Sequence, residues 1–376
     1  MDTCSIMRRR MMMGGGEQTP VTVGSYTINQ TKHTTSANMI SVSAACTTVI
    51  NAIHAASHLY VCELVNGVLQ CKQLSDTNKL QWVDGTTATI SDTQDVMMKL
   101  PQFWWKCVPD AENDDIADIS FTMVDPEDNT WHEWAGNIFI GAYKGLVIDS
   151  KLHSRSGLVA GGYSRVSLNS YKTYATNKGA GFTCLTYEMT QIIALLGFGR
   201  LKKLTPRPDF NIGASYSSSY TTGHCDALGM EDGKVGNYSS FWGIEDYITA
   251  VGLGEFIHNL TFSSGNIINI KNPLNTSQNI RSVQCAATLS GNNYFTKIVL
   301  GTNGDILPKA TTTSKPGNSV GYGGYCNVNN QGFYHANVVN NSNTTFVPLT
   351  ATTAAGSAVN YVTSRLQYQG DYTIIQ

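Results

Sequence analysis

Short alternating runs of apolar and polar residues, separated by turn dipeptides, fill the first hundred positions. Val21–Ile28, Leu59–Leu64, Val68–Leu74, Leu80–Val83 and Thr87–Ile90 carry the period of two that half-buries a strand. Asn66-Gly67 separates two of these runs and is the strongest short hairpin signal, and Asp84-Gly85 marks a second turn. Ser43 to His58 interrupts the alternation with a helix-like stretch. Residues 1–20 include Gly14 to Gly16, which hold regular structure poorly, and read as a flexible leader. The pattern predicts a leader at 1–20 followed by a small β-rich domain at 21–94.

Near Asp95 the texture changes. Val96 to Lys106 reads as one apolar strand carrying Trp104 and Trp105. Neighbours on a strand face opposite sides, so this strand is expected to be covered on both faces. Thr186 to Leu196 places apolar residues at 189, 192, 193, 195 and 196, a helical spacing. A long Gly/Ser/Tyr loop at 211–240 precedes Phe241-Trp-Gly-Ile-Glu-Asp246, and strands and turns resume from about 260. This places a second, larger domain at 95–376.

Composition narrows the function classes. Charged residues make up 14% of the 376 positions, with 25 Lys+Arg against 27 Asp+Glu and a net charge of −2. No basic excess is present to neutralise phosphates, which argues against nucleic-acid binding. Polarity comes from Asn, Ser, Thr, Gly and Tyr, residues of turns, strands and hydrogen-bonding surfaces. No apolar run is long enough to span a bilayer, so no membrane insertion is expected. Arg8 to Arg10 are followed only by Met11 to Met13 before the glycines, too short for the apolar segment of a signal peptide. Synthesis in a cytoplasm follows as the expectation.

The nine cysteines include no CxxC pair, which argues against a zinc ribbon. A two-residue loop at Asn66-Gly67 pairs Cys62 with Cys71 at a non-hydrogen-bonded site, with Cα atoms about 4.5 Å apart, inside disulfide range. The pair is either a disulfide or two buried thiols; a reducing cytoplasm favours the thiols. His54 and His58 are spaced to share a helix face, but without the Glu of HExxH they read as two surface histidines. Acidic residues cluster at Asp110–Asp118 and Asp125–Asn129; either a solvated loop or calcium through oxygen ligands fits them, and the default is the loop. No GxSxG, P-loop or GxGxxG is present.

The order of motifs carries a resemblance. VMMKLPQFWWK, IFIGAYKG, SRSG, GFTCLTYEMTQIIALLGFG, FWGIED and the block Gly323-Gly-Tyr-Cys-Asn327, Gly332-Phe-Tyr334, Asn340-Asn341, with Thr363-Ser-Arg365-Leu, follow one another. This succession, over about 95–370, resembles phage tail proteins with a C-type-lectin-like domain. That group includes the major tropism determinant of a Bordetella phage and the variable proteins of diversity-generating retroelements. Tyrosine stands at 325 where tryptophan is usual, and the glycine of a "GFR" strand is missing. The leader is similar to openings of phage and prophage proteins of gut Bacteroidales.

The resemblance implies an α+β, C-type-lectin-like (formylglycine-generating-enzyme-like) domain behind the small β-rich one. It also implies a tail-tip or tail-fibre adhesin, displayed on the virion, that binds a host cell-surface receptor, glycan or protein, without cofactor or catalysis. Other tail proteins and a homotrimer are the implied partners, with the leader as attachment. The implied recognition face is Tyr322, Tyr325, Asn327, Asn329, Asn330, Phe333, Tyr334, His335, Asn337, Asn340 and Asn341. Seven asparagines lie within 327–343, a mix of uncharged donors and rigid aromatics of the kind paratopes use. Tyr216, Tyr220, His224 and Tyr238 form a second candidate face on the long loop. An architectural tail protein is the alternative. A metal-dependent oxidase on the related fold would need Cys285 and Cys326 as a pair.

Overall fold

The computed structural model describes residues 22–32, 39–158, 166–204, 221–247, 254–263, 267–285, 293–312, 325–326, 333–335 and 362–375. The central sheet has eight strands. Its order runs Phe182–Cys184, Leu366–Gln369, Ile138–Gly141, Asp95–Lys99, His58–Val65, Val68–Ser75, Tyr372–Ile375, with Asn78–Trp82 attached to Val68–Ser75. All pairs are antiparallel except the last, where Tyr372–Ile375 runs parallel to Val68–Ser75. A five-stranded sheet is ordered Ile40–Val42, Gly24–Asn29, Ile116–Thr122, Phe103–Pro109, His132–Trp134.

Period-two alternation sorts the central sheet into two cores. Leu59, Val61, Val96, Met98 and Ile140 face the larger one, shared with the five-stranded sheet and with helices α1 (Ala44–Ala55) and α3 (Tyr187–Leu201). Tyr60, Cys62, Met97 and Phe139 face the smaller one, covered by helix α2 (Leu168–Thr176). The sheet is therefore buried on both sides. Helix α3 is buried on every face from Met189 to Gly199, which is why its apolar residues run almost without a break. Each helix opens on a side-chain cap that satisfies an otherwise unpaired amide: Ser43 to Cys46, Ser167 to Ser170, Thr186 to Met189. No helix among the described residues is long and apolar enough to cross a membrane.

Several expectations are corrected. Three α-helices stand against twenty-seven strands among the described residues, so the fold is β-rich and not α+β. Nothing in the described architecture identifies a C-type-lectin-like domain. Periodicity points to only two helices, and the α+β class comes with the resemblance. Helix α2 escapes the apolar period because Leu-Asn-Ser-Tyr-Lys-Thr-Tyr-Ala-Thr is mostly polar. The boundary expected between 94 and 95 runs through a sheet: Asp95–Lys99 pairs with His58–Val65, and the larger core takes residues from Tyr26 to Leu307. The run Val96–Lys106 is two strands in two sheets. Pro101 lacks an amide to continue the ladder, and the chain changes sheet around it. The second strand is covered on one face only, with Phe103, Trp105 and Cys107 inward and Trp104 half-exposed. The hairpin at Asn66-Gly67 forms as expected, both residues at positive φ (52° and 83°).

The turn after Gly254–Ile257 fixes the start of α3. His258 donates its backbone amide to Leu185 O (2.9 Å), and Asn259 Oδ1 accepts from Tyr187 N (2.8 Å). His258 Nε2 donates to Pro273 O (2.6 Å), while its Nδ1 is buried without a hydrogen-bond partner among the described residues. A proton on Nδ1 would find no acceptor there, and burial pushes the imidazole down to about 4 from 6.5. The unfolded chain binds this proton below about pH 6.5 and the folded chain only near 4, so stability from this group is complete above 6.5 and falls as pH drops toward 4. Urea titrations between those limits should show a loss of up to about 1.4 kcal/mol per pH unit from this residue. That slope should be reduced in His258→Gln; an unchanged slope would contradict the assignment.

Candidate functional site

Around the C-terminal half, loops are held by buried charge. Arg365 is 0% exposed and Glu255 1%. Arg365 Nε lies 3.1 and 3.2 Å from the two Glu255 oxygens, and its Nη2 also donates to Glu255. The remaining donors reach Gly141 O and Glu245 O, both at 2.9 Å. Lys144 Nζ adds a second cation 3.1 Å from Glu255 Oε1. A buried ion pair is tolerated when its geometry and additional hydrogen bonds offset desolvation, as they do here.

The next carboxylates position the loops themselves. Trp242 (φ 56°) and Gly243 (φ 73°) make a tight two-residue turn, which drives the Trp242 ring into the core and its Nε1 onto Ser57 Oγ (3.0 Å). Beyond the turn, buried Glu245 accepts from Gly223 N (2.9 Å) and Cys225 N (2.8 Å). Asp246 Oδ1 accepts from Ser239 N (2.8 Å). Asp226 accepts from Tyr143 Oη and from Ser156 Oγ. Gly223 (φ 96°) holds a backbone conformation that side-chain-bearing residues rarely adopt, and a Cβ there would also crowd Ser156 Oγ. Buried Lys79 sits over the Tyr143 ring (5.3 Å), with no hydrogen bond to its Nζ among the described residues. Burial lowers its pKa, opposed by the Glu245 and Asp226 carboxylates.

On this support stand two of the predicted recognition residues. His224 and Tyr238 stack face to face, centroids 3.5 Å apart and planes within 7°. Both are half-buried, leaving part of the pair to solvent. Thr221 Oγ1 lies 3.1 Å from His224 Nε2. Burial, with Asp246, Glu245 and Cys225 nearby, raises the Tyr238 phenol above its usual value, so it remains a donor. The pair presents a partly open aromatic surface, of the kind that can pack against a sugar face or a peptide edge.

The other predicted positions divide into two groups. Tyr325 pairs with Tyr294 on the sheet formed by Asn293–Leu300 and Ile306–Thr312. Phe333, Tyr334 and His335 pair with Ile257, Phe256 and Glu255, whose strand also runs parallel to Val362–Thr363. The backbone at His335 is thus one strand from the residue that holds Arg365. Tyr322, Asn327, Asn329, Asn330, Asn337, Asn340, Asn341, Tyr216 and Tyr220 lie outside the described residues.

The remaining candidates take structural roles. His54 and His58 do not share a helix face, since α1 ends at Ala55 and His58 starts a strand. His54 Nε2 lies 3.1 Å from Met230 O and His58 Nδ1 3.1 Å from Asp76. In the acidic clusters, Asp115 pairs with Lys297 and Lys309, and Asp110, Asp125 and Asp128 accept from turn amides. Among the described residues no cluster of three His, Cys, Asp or Glu side chains could hold a metal.

One site escapes the sequence. A cleft of ≈ 450 Å³ is lined by Glu63, Asp92, Asp95, Lys151, His153, Arg155 and Lys178, with Leu64, Ile148, Leu158 and Phe182 as apolar wall. Its buried base is Asp95, which accepts from Ser154 N (2.8 Å) and lies 2.5 Å from Lys178 Nζ and 3.2 Å from His153 Nδ1. Arg155 pairs with Asp92 at the rim (2.7 Å). Its residues come from four separate stretches of chain with no shared motif, so spacing could not have found it. No protein-family model matches the chain, and no curated protein matches it.

Removing Arg365 would leave the Glu255–Lys144 pair in a hole and free two buried carbonyls. Arg365→Ala should lower stability by about 3–5 kcal/mol, read as a drop in the urea midpoint. Arg365→Lys should recover only part of it, because one ammonium cannot match the planar fork. Near-wild-type stability of either variant would show that the pair does not organise the fold.

Proposed function

We propose that the protein is a non-enzymatic phage tail-tip or tail-fibre adhesin that recognises a host cell-surface receptor, glycan or protein, by reversible contact. The observation that carries this reading is the half-buried His224–Tyr238 stack, formed between a turn and the start of the strand Tyr238–Phe241 and pinned from beneath by buried Glu245, Asp246 and Asp226. A rigid aromatic surface lets a ligand bind without ordering the loop first. The Asn- and Tyr-rich stretch from Tyr322 to Asn341 supplies uncharged hydrogen-bonding groups of the type found in paratopes. Weak single sites gain strength when several act together, so a homotrimer joined to other tail proteins through residues 1–20 completes the proposal.

An architectural tail or baseplate role is the second reading. It is favoured by the edge strand Tyr372–Ile375, where Ile374 and Ile375 are 50% and 42% exposed. Apolar edges of this kind pack against neighbours.

Binding of purified protein to intact cells of a panel of gut Bacteroidales strains separates the two. Adhesion predicts strain-selective binding that falls at least tenfold in folded Tyr238→Ala, in a folded triple variant (Tyr325→Ala, Asn330→Ala, Phe333→Ala), or in both. Binding to no strain by folded protein, together with assembly that fails when Ile374 and Ile375 become Ser, would favour the architectural role.

A further inference from the structure

The hairpin His58–Val65/Val68–Ser75 carries Cys62 directly opposite Cys71. Their Sγ atoms are 3.4 Å apart, and both residues are buried, 1% and 0% exposed. Backbone phase fixes what kind of pair this is. Leu69 N donates away from the hairpin, to Asp371 O at 3.1 Å. Cys71 lies two residues on and has the same phase, so Cys62 and Cys71 are a non-hydrogen-bonded pair. Such pairs bring the Cα atoms to about 4.5 Å, within the span a disulfide bridges.

We propose that Cys62 and Cys71 are a modification site: a dithiol that closes to a cross-strand disulfide when the folded protein meets a low-molecular-weight disulfide such as oxidised glutathione. One thiolate attacks a glutathione sulfur, forming a mixed disulfide and releasing one reduced glutathione. The second cysteine attacks the protein sulfur of that intermediate and releases the other. Two thiols become one disulfide, the oxidant takes up the two electrons, and the two thiol protons leave with the glutathione products.

Access is gated by the sheet edge. The cysteines sit in the smaller core, where Tyr60, Met97 and Phe139 surround them and Tyr372 packs against the cluster. Tyr372 belongs to the edge strand, and Ile374 of that strand is the register partner of Cys71. An edge strand opens more readily than the strands it covers, so exchange should be slow and should quicken in dilute urea. Closure joins two strands already in register and needs only a small turn of both side chains. The bond would lock the hairpin against which the edge strand pairs. It requires an oxidising medium and does not depend on the adhesin reading.

The test uses full-length reduced protein, incubated folded with oxidised glutathione, then denatured, alkylated and digested. The expected result is two fewer alkylated thiols than the nine in the sequence, a peptide cross-linking Cys62 to Cys71, and a higher urea midpoint that reductant reverses. Cys62→Ser should lose both the cross-link and the response of its midpoint to oxidant. All nine thiols still alkylating, or a cross-link between other cysteines in place of this one, would overturn the proposal. The peptide map is measured on the wild-type chain, so it decides the matter even if the variant folds poorly.

Discussion

The contact between Arg365 and Glu255 is the constraint on which the C-terminal half depends. It joins residues 110 positions apart, and both ends are almost wholly buried. A charge pair in a protein interior stabilises only when every donor and acceptor is used. Here the guanidinium meets one carboxylate and two carbonyls, and the carboxylate meets a second cation, Lys144. Because those carbonyls belong to Gly141 and Glu245, the pair sets the spacing between the central sheet, the Trp242-Gly243 turn and the strand Gly254–Ile257.

From that point rigidity passes outward through carboxylates and backbone amides. Glu245 holds Gly223 and Cys225, Asp246 holds Ser239, and Asp226 ties Tyr143 to Ser156. The segments so held carry His224 and Tyr238. The expected loop is, over 221–240, a short 3-10 turn and a hairpin, anchored at three places below an aromatic stack that remains partly open. The arrangement meets the cost of ordering these segments in folding, so any ligand bound there would not have to meet it again.

Local signals in the chain are legible where one interaction dominates. The Asn66-Gly67 turn, the helix-like stretch from Ser43 and the apolar period of α3 rest on near neighbours. The pairing of Cys62 with Cys71 follows from the same hairpin. Long-range relations are not legible. Nothing near Asp95 announces that its strand pairs with His58–Val65, so the expected domain boundary falls inside a sheet. Arg365 stands in a motif, but its partner Glu255 lies in no pattern with it. The α+β class, taken from a resemblance and not from periodicity, gives way to a β-rich fold. Of the residues expected at a recognition face, His224 and Tyr238 are brought together because a turn and two buried acids bring their segments into one place. The cleft over Asp95 draws on four distant stretches, and only the folded chain reveals it.

The most direct test is hydrogen exchange of the protein with and without solubilised envelope from a strain that it binds. A preorganised recognition face predicts added protection in peptides covering 221–240, in 325–335, or in both, with little change elsewhere and slow exchange at Gly223 and Cys225 even without ligand. Protection confined to the edge strand Tyr372–Ile375, or rapid exchange at Gly223 and Cys225 in the free protein, would contradict it.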